Sequence, residues 1–301
     1  MRWSLRKKLI GVAFVTPWIA GFLAFTAFPL IETIRYSFGK VRVKVGEGVQ
    51  IEFKGIENYA QVLTKTPEFL KEVPAYVQQI VLFVPMTIVF SILLALLLNK
   101  PMAGRRILRA IFFLPVILMC GPLLQNIMDM GATRLTGSES FILYLFINEY
   151  FPVFLKVPLL YIFDNIVLIL WFCGVQTLIF LSGLQKIDKN VYEAAKVDGA
   201  SGWQQFWKIT MPTLKTFILL NAIYAIVDIS GSSLNNITGL ITGGMFTATQ
   251  GFGYSAALSV IYFLIMAVLM GVAYLLIGRE HKAEKHYHGV HKSMMAGRRK
   301  K

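Results

Sequence analysis

Charged side chains are scarce in this sequence. Asp, Glu, Lys and Arg make up 15% of the 301 residues, hydrophobic residues make up 56%, and the mean hydropathy is +0.61. A soluble domain carries about 25% charged residues, so a soluble globular protein is excluded. Cysteine is almost missing. Cys120 and Cys173 each lie in an apolar run, where a thiol reads as a small core hydrophobe and not as half of a disulfide. Gly and Pro show no period and apolar content is high, which excludes collagen-like and disordered chains. No histidine falls within an apolar run: His281, His286, His288 and His291 all lie near the C-terminus. An intramembrane H-E-x-x-H zinc site is therefore ruled out. G-x-x-x-x-G-K-[ST] occurs nowhere, and Gly39-Lys40 lacks both the loop and the hydroxyl, so the chain supplies no ATPase of its own. No repeat of about 20–50 residues is visible.

What is present is a series of long apolar runs. A helix of about 20 apolar residues crosses a bilayer core of roughly 30 Å. Six runs qualify, near Leu9–Ile31, Gln78–Leu98, Ala110–Met128, Ile162–Gly183, Thr213–Ser230 and Ser255–Gly278. The first follows Arg2, Arg6, Lys7 and Lys8 as a signal peptide would, but it is longer than a signal core and lacks a small-x-small cleavage site. It is expected to be retained. The formal charge of +14 lies in particular segments. The N-terminus and 99–109 are each net +4, 184–215 is +2 and 279–301 is +6, whereas 32–77 is +1, 129–161 is −1 and 231–254 carries no charge. Six spans put all the basic segments on one side, which the positive-inside rule makes cytoplasmic. A seventh candidate, 141–163, holds Glu149, Lys156, Pro152 and Pro158. As a span it would move the +6 tail outside, so it is expected to be an interfacial or re-entrant piece. The segment Ile56–Val73 places Tyr59, Val62, Leu63 and Thr66 at helical spacing and is expected on the outer interface.

The reading is therefore an all-α integral membrane protein with both termini inside. Residues 1–8 form a cytoplasmic N-terminus and 9–278 a six-helix domain, with outer segments 32–77 and 129–161 and a cytoplasmic loop 184–212. Residues 279–301 form a basic tail near anionic lipid.

The loop is too polar to span and too long for a connector. Asn190 with Glu193, and Ser201 with Gln204, suit two capped helix starts. Gly199 and Gly202 lie between them, and Pro212 is expected to begin the next span. Ala194, Ala195, Gly199 and Ala200 make a small-residue surface that another protein can approach closely. Spacing alone equally allows an amphipathic helix pair anchored by Trp203, Phe206 and Trp207 in the headgroups.

The stretch EAAKVDGASGWQQFWKITMP, from Glu193 to Pro212, closely resembles the EAA loop of ABC-importer permease subunits: Glu-Ala-Ala, three residues, Gly, then a hydrophobic stretch ending in Pro. RRILRAIFFLP at 105–115, GIENYAQVL at 55–63 and GYSAALSVIYF at 253–263 resemble segments of the binding-protein-dependent, maltose-type sugar-permease branch. LITGGMF at 240–246 resembles its Leu-Thr-Gly-Gly-Gly-Pro outer loop, with Met245 and Phe246 departing from it. The resemblance implies the six-span type I importer permease fold in a bacterial or archaeal cytoplasmic membrane. It implies a second homologous permease, two cytoplasmic ATPase subunits that bind ATP and Mg, and an extracytoplasmic solute-binding protein, with no cofactor in this chain and no nucleic acid partner. It makes Glu193, Ala194, Ala195, Asp198, Gly199 and Ala200 the ATPase-docking residues. Binding-protein docking is implied at Tyr59, Gly239, Thr242, Gly243 and Gly244. The solute is a sugar or oligosaccharide by this resemblance, with glycerophosphate or another polar solute in the same family as the alternative.

A secondary transporter would need ionisable residues in its spans, and only Asp164 and Asp228 are near or within them. No convergent acid, base or metal set supports an enzyme. For the solute path, Asn165, Phe172 and Gln176 fall on one expected helical face, and Asn221, Tyr224 and Asp228 on another. Aromatic rings among amides and a carboxylate suit a sugar, while the same groups can equally hydrogen-bond neighbouring helices.

Overall fold

The computed structural model describes residues 2–44, 48–101, 104, 107–111, 141–232, 235–247 and 250–278. Among these, five helices are long and apolar enough to cross a membrane: Ile10–Ser37, Pro67–Asn99, Ile166–Leu184, Gly202–Gly231 and Gly251–Gly278. Most of the expected third span, Cys120 and the histidine-bearing tail lie outside the described residues. The chain divides into two compact units, Met1–Val73 with Asn236–Ile265, and Pro74–Asn235 with Met266–Lys301.

In the first unit, α1 (Arg2–Phe22) runs through a π turn, Leu23–Ala27, into α2 (Phe28–Ser37). The turn stands just before Pro29, where Phe28 N–H donates to the Leu23 carbonyl. Proline removes one helical hydrogen bond and crowds the carbonyl four residues back. A wider turn absorbs both effects without breaking the helix. The helix continues six residues beyond the expected Ile31 because its end is satisfied from elsewhere: Asn58 Nδ2 donates to the Ser37 carbonyl at 2.9 Å.

An element that was not anticipated follows. Strands β1 (Gly39–Lys44) and β2 (Gly48–Phe53) pair antiparallel, with Val41 opposite Ile51 and Arg42 opposite Gln50. Their alternation is visible in retrospect: Val41, Val43, Val49, Ile51 and Phe53 occupy one set of positions, and Lys40, Arg42, Gln50, Glu52 and Lys54 the other. Helix α3 (Glu57–Lys65) then buries Val62 and half-buries Tyr59, while Leu63 is exposed. Helix α4 (Pro67–Asn99) follows at once. Near the other end of the chain this unit holds α11 (Asn236–Met245) and the start of α12 (Gly251–Gly278).

The second unit has its core among three helices: α4 from Pro74 onward, α7 (Ile166–Leu184) and α10 (Met211–Gly231). Gly183 lets α7 approach α10 closely, since a β-carbon there would lie 2.9 Å from the Phe217 ring. Ile169, Phe172, Cys173 and Phe180 of α7, Ala222, Ala225, Ile226 and Ile229 of α10, and Phe83, Ile92 and Ala95 of α4 fill this interior. Within a bilayer such packing and interhelical hydrogen bonds hold helices together, because lipid is as apolar as leucine. Ser91 Oγ donates to the Cys173 carbonyl at 3.4 Å, and the Tyr76 and Ser230 hydroxyls share a hydrogen bond.

The segment 141–163 is two helices, α5 (Ile142–Tyr150) and α6 (Val153–Asp164). Pro152 divides them, and at 9 and 12 residues each is shorter than the about 20 residues a crossing needs.

Candidate functional site

The cytoplasmic-loop candidate is built from local signals. Helix α8 spans Lys189–Val197, and its cap is Asp188, whose side chain accepts from Asn190 N–H at 3.0 Å. The cap therefore stands two positions before the expected Asn190, whose own Nδ2 donates to Asp188 Oδ2 at 3.4 Å. The C-terminus closes in a Schellman arrangement: Ala200 N–H donates to the Ala195 carbonyl at 2.9 Å and Gly199 N–H to the Lys196 carbonyl at 3.0 Å. Gly199 takes φ +79°, a left-handed conformation that favours glycine. Ser201 and Gln204 form the expected reciprocal capping box of α9 (Gly202–Gln205).

The following helix corrects one expectation. Pro212 stands in the first turn of α10 (Met211–Gly231), but the helix does not start there: it is continuous from Gly202. A second π turn, Phe206–Thr210, precedes the proline, and Met211 N–H donates to the Phe206 carbonyl. The solution is the one used before Pro29.

Two hydrogen bonds tie α8 and the turn to this helix. The Tyr192 hydroxyl meets buried Thr210 Oγ1 at 2.8 Å, and Gln205 Nε2 donates to the Ala200 carbonyl at 2.8 Å. Tyr192 was not singled out in the sequence, since a lone tyrosine in an amphipathic helix carries no spacing signal. Glu193, Ala194, Asp198 and Gly199 are exposed, and Ala195 and Ala200 half-buried. A short, doubly capped helix thus presents a carboxylate and small residues outward while its other side is bolted to the root of a span. Trp203, Phe206 and Trp207 pack on one another beside it, with ring centroids 5.1–6.2 Å apart.

The interior candidates separate. Asn165 stands at the junction between α6 and α7, and its Nδ2 donates to the Tyr161 carbonyl at 2.8 Å. An amide that caps a broken helix is occupied locally. Phe172 and Gln176 are buried within the subunit, as is Asn221, whose Nδ2 donates to the Phe217 carbonyl at 2.8 Å. Tyr224 and Asp228, one turn apart on α10, are half-buried.

The outer candidates lie in the first unit. The Tyr59 hydroxyl bonds Ser37 Oγ at 2.6 Å, and its ring packs on Phe38. Asn58 Nδ2 also donates to the Gly39 carbonyl at 3.0 Å. Gly253 lies so close to Gly39 that a β-carbon would stand 2.0 Å from that carbonyl oxygen. The buried Tyr254 hydroxyl meets buried Thr66 Oγ1 at 2.7 Å. The residues of the Asn-Tyr and Gly-Tyr segments therefore clamp the end of α2, the hairpin and α3 to the start of α12. LITGGM, 240–245, is the end of α11, a helix where an outer loop was expected, and Phe246 lies in the turn just beyond it. Gly239, Thr242 and Gly243 are exposed on it, while Gly244 is buried, where a β-carbon would stand 2.8 Å from Ser255 Oγ. Beside this clamp lies a cavity of about 680 Å³, walled by Lys40, Arg42, Lys54, Glu57, Phe246 and Gln250 among others. Lys54 Nζ sits 2.9 Å from Glu52 Oε1, lowering the carboxyl pKa and raising that of the ammonium.

Residues 68–280 match the family of binding-protein-dependent transport system inner membrane components. The chain belongs to this family. This permease is thus a multi-pass protein of the cytoplasmic membrane. It is 26% identical over 300 residues to the probable ABC transporter permease protein YesP of Bacillus subtilis, covering 94% of each chain. It is 28% identical over 284 residues to the lactose transport system permease protein LacF of Rhizobium radiobacter, covering 86% and 91%. With the trehalose/maltose transport system permease protein MalF of Thermococcus litoralis it shares 26% identity over 291 residues, 91% and 95% of the two chains. Its fold is similar to a chain in the crystal structure of a bacterial ABC transporter that imports the acidic polysaccharide alginate, with TM-score 0.59, 16% identity and coverage of 92% and 97%.

Proposed function

We propose that this permease is one membrane half of an ATP-driven importer of a sugar or oligosaccharide. It pairs with a second, homologous permease and two cytoplasmic ATPase subunits. The observation that carries this reading is α8: capped by Asp188, closed at Gly199 and joined through Tyr192 to Thr210, it is stiff enough to pass a displacement to the span that follows. Closure of the ATPases around ATP and Mg moves α8, with Glu193 and Asp198 making polar contacts and Ala194, Ala195, Gly199 and Ala200 packing in the ATPase cleft. The attached helix converts that motion into alternate inward and outward opening, so occupancy at one site biases the other. The basic segments support placing both termini and this loop in the cytoplasm.

The relatives' names, lactose and trehalose/maltose, support a carbohydrate. Tyr224 and Asp228 offer a ring and a carboxylate on one half-buried stripe of α10, the pairing a sugar's apolar face and hydroxyls require. Phe172, Gln176 and Asn221 stand behind them as support, and Asn165 fixes the α6–α7 junction. Solute reaches this path from an extracytoplasmic binding protein that docks on the exposed face of α11, at Gly239, Thr242 and Gly243.

The test is uptake by the transporter reconstituted with its companion subunits. Radiolabelled maltose, trehalose and lactose should enter only with ATP and the binding protein, and Tyr224→Ala should lower uptake of the transported sugar about tenfold with the complex still assembled. ATP-independent uptake, or uptake of glycerol phosphate in place of every sugar tried, would overturn the reading.

A further inference from the structure

The hairpin and the cavity beside it have a chemistry that the clamp does not use. Lys40 and Arg42 occupy alternate positions of β1, with Lys54 just beyond β2, so their side chains share one face. Together they wall the cavity of about 680 Å³, along with Glu57, Asn58 and Gln61 of α3 and residues 245–247 and 250–254. Three cations face two carboxylates. One of these, Glu52, is already engaged by Lys54 at 2.9 Å and by Arg42 at 3.9 Å. The surplus positive charge falls on the β1 side, at Lys40 and Arg42. Across the cavity Phe246 is 83% exposed and edge-packed on Phe252 at 6.1 Å.

We propose that this cavity is a socket for an acidic loop of the extracytoplasmic binding protein, with Lys40, Arg42 and Lys54 meeting its carboxylates and Phe246 forming the apolar rim. This rests on the importer reading above and gives its docking step a charge sign and a place. The volume alone would also suit a small solute, but the walls do not. A sugar needs a ring to lie on; Tyr254 is buried with its hydroxyl held by Thr66, half-buried Phe252 is packed edge-on with Phe246, and Phe246 turns outward. Exposed, flexible cations steer a large partner and fix its register rather than grip a solute closely. An exposed aromatic next to them supplies the buried anchor on which docking energy concentrates. The base of the socket is prearranged, since Asn58 and Gly253 hold the hairpin root against α12. An occupant therefore touches both the hairpin that follows the first membrane helix and the start of α12.

The experiment measures binding of the transporter's own solute-binding protein, loaded with sugar, to the reconstituted complex in nanodiscs at about 50 and about 300 mM NaCl. Wild-type affinity should fall several-fold with salt, as screening of exposed charges requires. Lys40→Glu combined with Arg42→Glu should weaken it about tenfold at low salt and remove the salt slope, the neutral Lys40→Gln, Arg42→Gln pair should fall between, and Phe246→Ala should weaken it with the slope intact. Fluorescein-labelled hexa-aspartate should compete. Unchanged affinity and slope in the doubly reversed variant, a salt-independent wild type, or displacement by glucuronate but not by hexa-aspartate would each overturn the socket. Salt-sensitive, Lys40- and Arg42-dependent docking without any sugar uptake would uphold the socket and remove the importer reading instead.

Discussion

Replacing Gly253 by alanine adds one methyl group where two backbones meet. Its β-carbon would stand 2.0 Å from the Gly39 carbonyl oxygen, 3.1 Å from Asn58 Nδ2 and 3.2 Å from the Gly39 carbonyl carbon. An ordinary C···O contact is about 3.3 Å or more, so the chains must separate by roughly 1.3 Å. No rotamer change relieves a clash with a main-chain oxygen. Within the hairpin Gly39 is also close to β2, where a β-carbon on it would meet Ile51 Cγ2 at 2.5 Å. Separation stretches the Asn58 bonds to the Gly39 and Ser37 carbonyls, now 3.0 and 2.9 Å. Losing one of these bonds costs about 0.5–1.5 kcal/mol, and overpacking adds about 1–3. A central value near 3 kcal/mol raises the open population of the hairpin roughly a hundredfold. Trypsin reads this directly, since cleavage at Lys40, Arg42 and Lys54 tracks the open population when reclosing is fast. In nanodiscs, Gly253→Ala should raise the cleavage rate at these sites by about two orders of magnitude. Gly239→Ala, on an open helical face with nothing within 4 Å, should leave the rate within about twofold or lower it. A Gly253→Ala rate within about threefold of wild type would refute the close-approach argument.

Removing the hydroxyl in Tyr192→Phe leaves buried Thr210 without this partner, a loss of about 1–3 kcal/mol. Sugar transported per ATP should fall, and a cycle with Thr210→Val should be non-additive, whereas additive effects would mean that the bond does not link α8 to the span. Gly199→Ala meets no atom but must hold φ +79°, at about 1–2 kcal/mol. Hydrogen exchange over 189–200 should accelerate about 5–30-fold, and unchanged exchange would refute the closure assigned to Gly199. The Lys54–Glu52 pair lowers one pKa and raises the other. Its contribution to the hairpin is therefore full between the ordinary carboxylate and ammonium ranges. It is lost as pH falls through the depressed Glu52 value, or rises through the raised Lys54 value. Tryptic protection at neutral pH should thus be flat and independent of small pH changes, and Glu52→Gln should lower it; a steep change near pH 7 would point to another group.

The five spans among the described residues could be read from the sequence because crossing a bilayer demands a length of apolar chain and little else. The Ser201–Gln204 capping box was legible for a similar reason, since its two partners are three residues apart. Asp188 displaced Asn190 because two side chains of like capping ability stand within one turn, and only the geometry chooses between them. The break at Asn165 left no mark in an apolar run that reads as one helix from Ile162 onward. The hairpin's alternation was present but short, and it sat in a segment whose balanced charge drew attention to orientation. The clamp was least visible of all. Tyr254 and Thr66 are 188 positions apart, and Gly253 acts through the side chain it does not have. The family motifs marked where the clamp lies, but what those residues touch emerged only with the fold.

The π turn at Phe206–Thr210 holds one residue more than an α turn would, and every side chain beyond it is rotated by about 100° relative to an uninterrupted helix. Deleting one residue within 206–210 would return this turn to α winding with the flanking segments in nearly the same phase, and would set the Pro212 ring against the carbonyl four residues back. Drift in this stretch should accordingly occur by substitution and not by single-residue insertion or deletion. An aligned relative that is one residue shorter here must also have lost its proline or moved it.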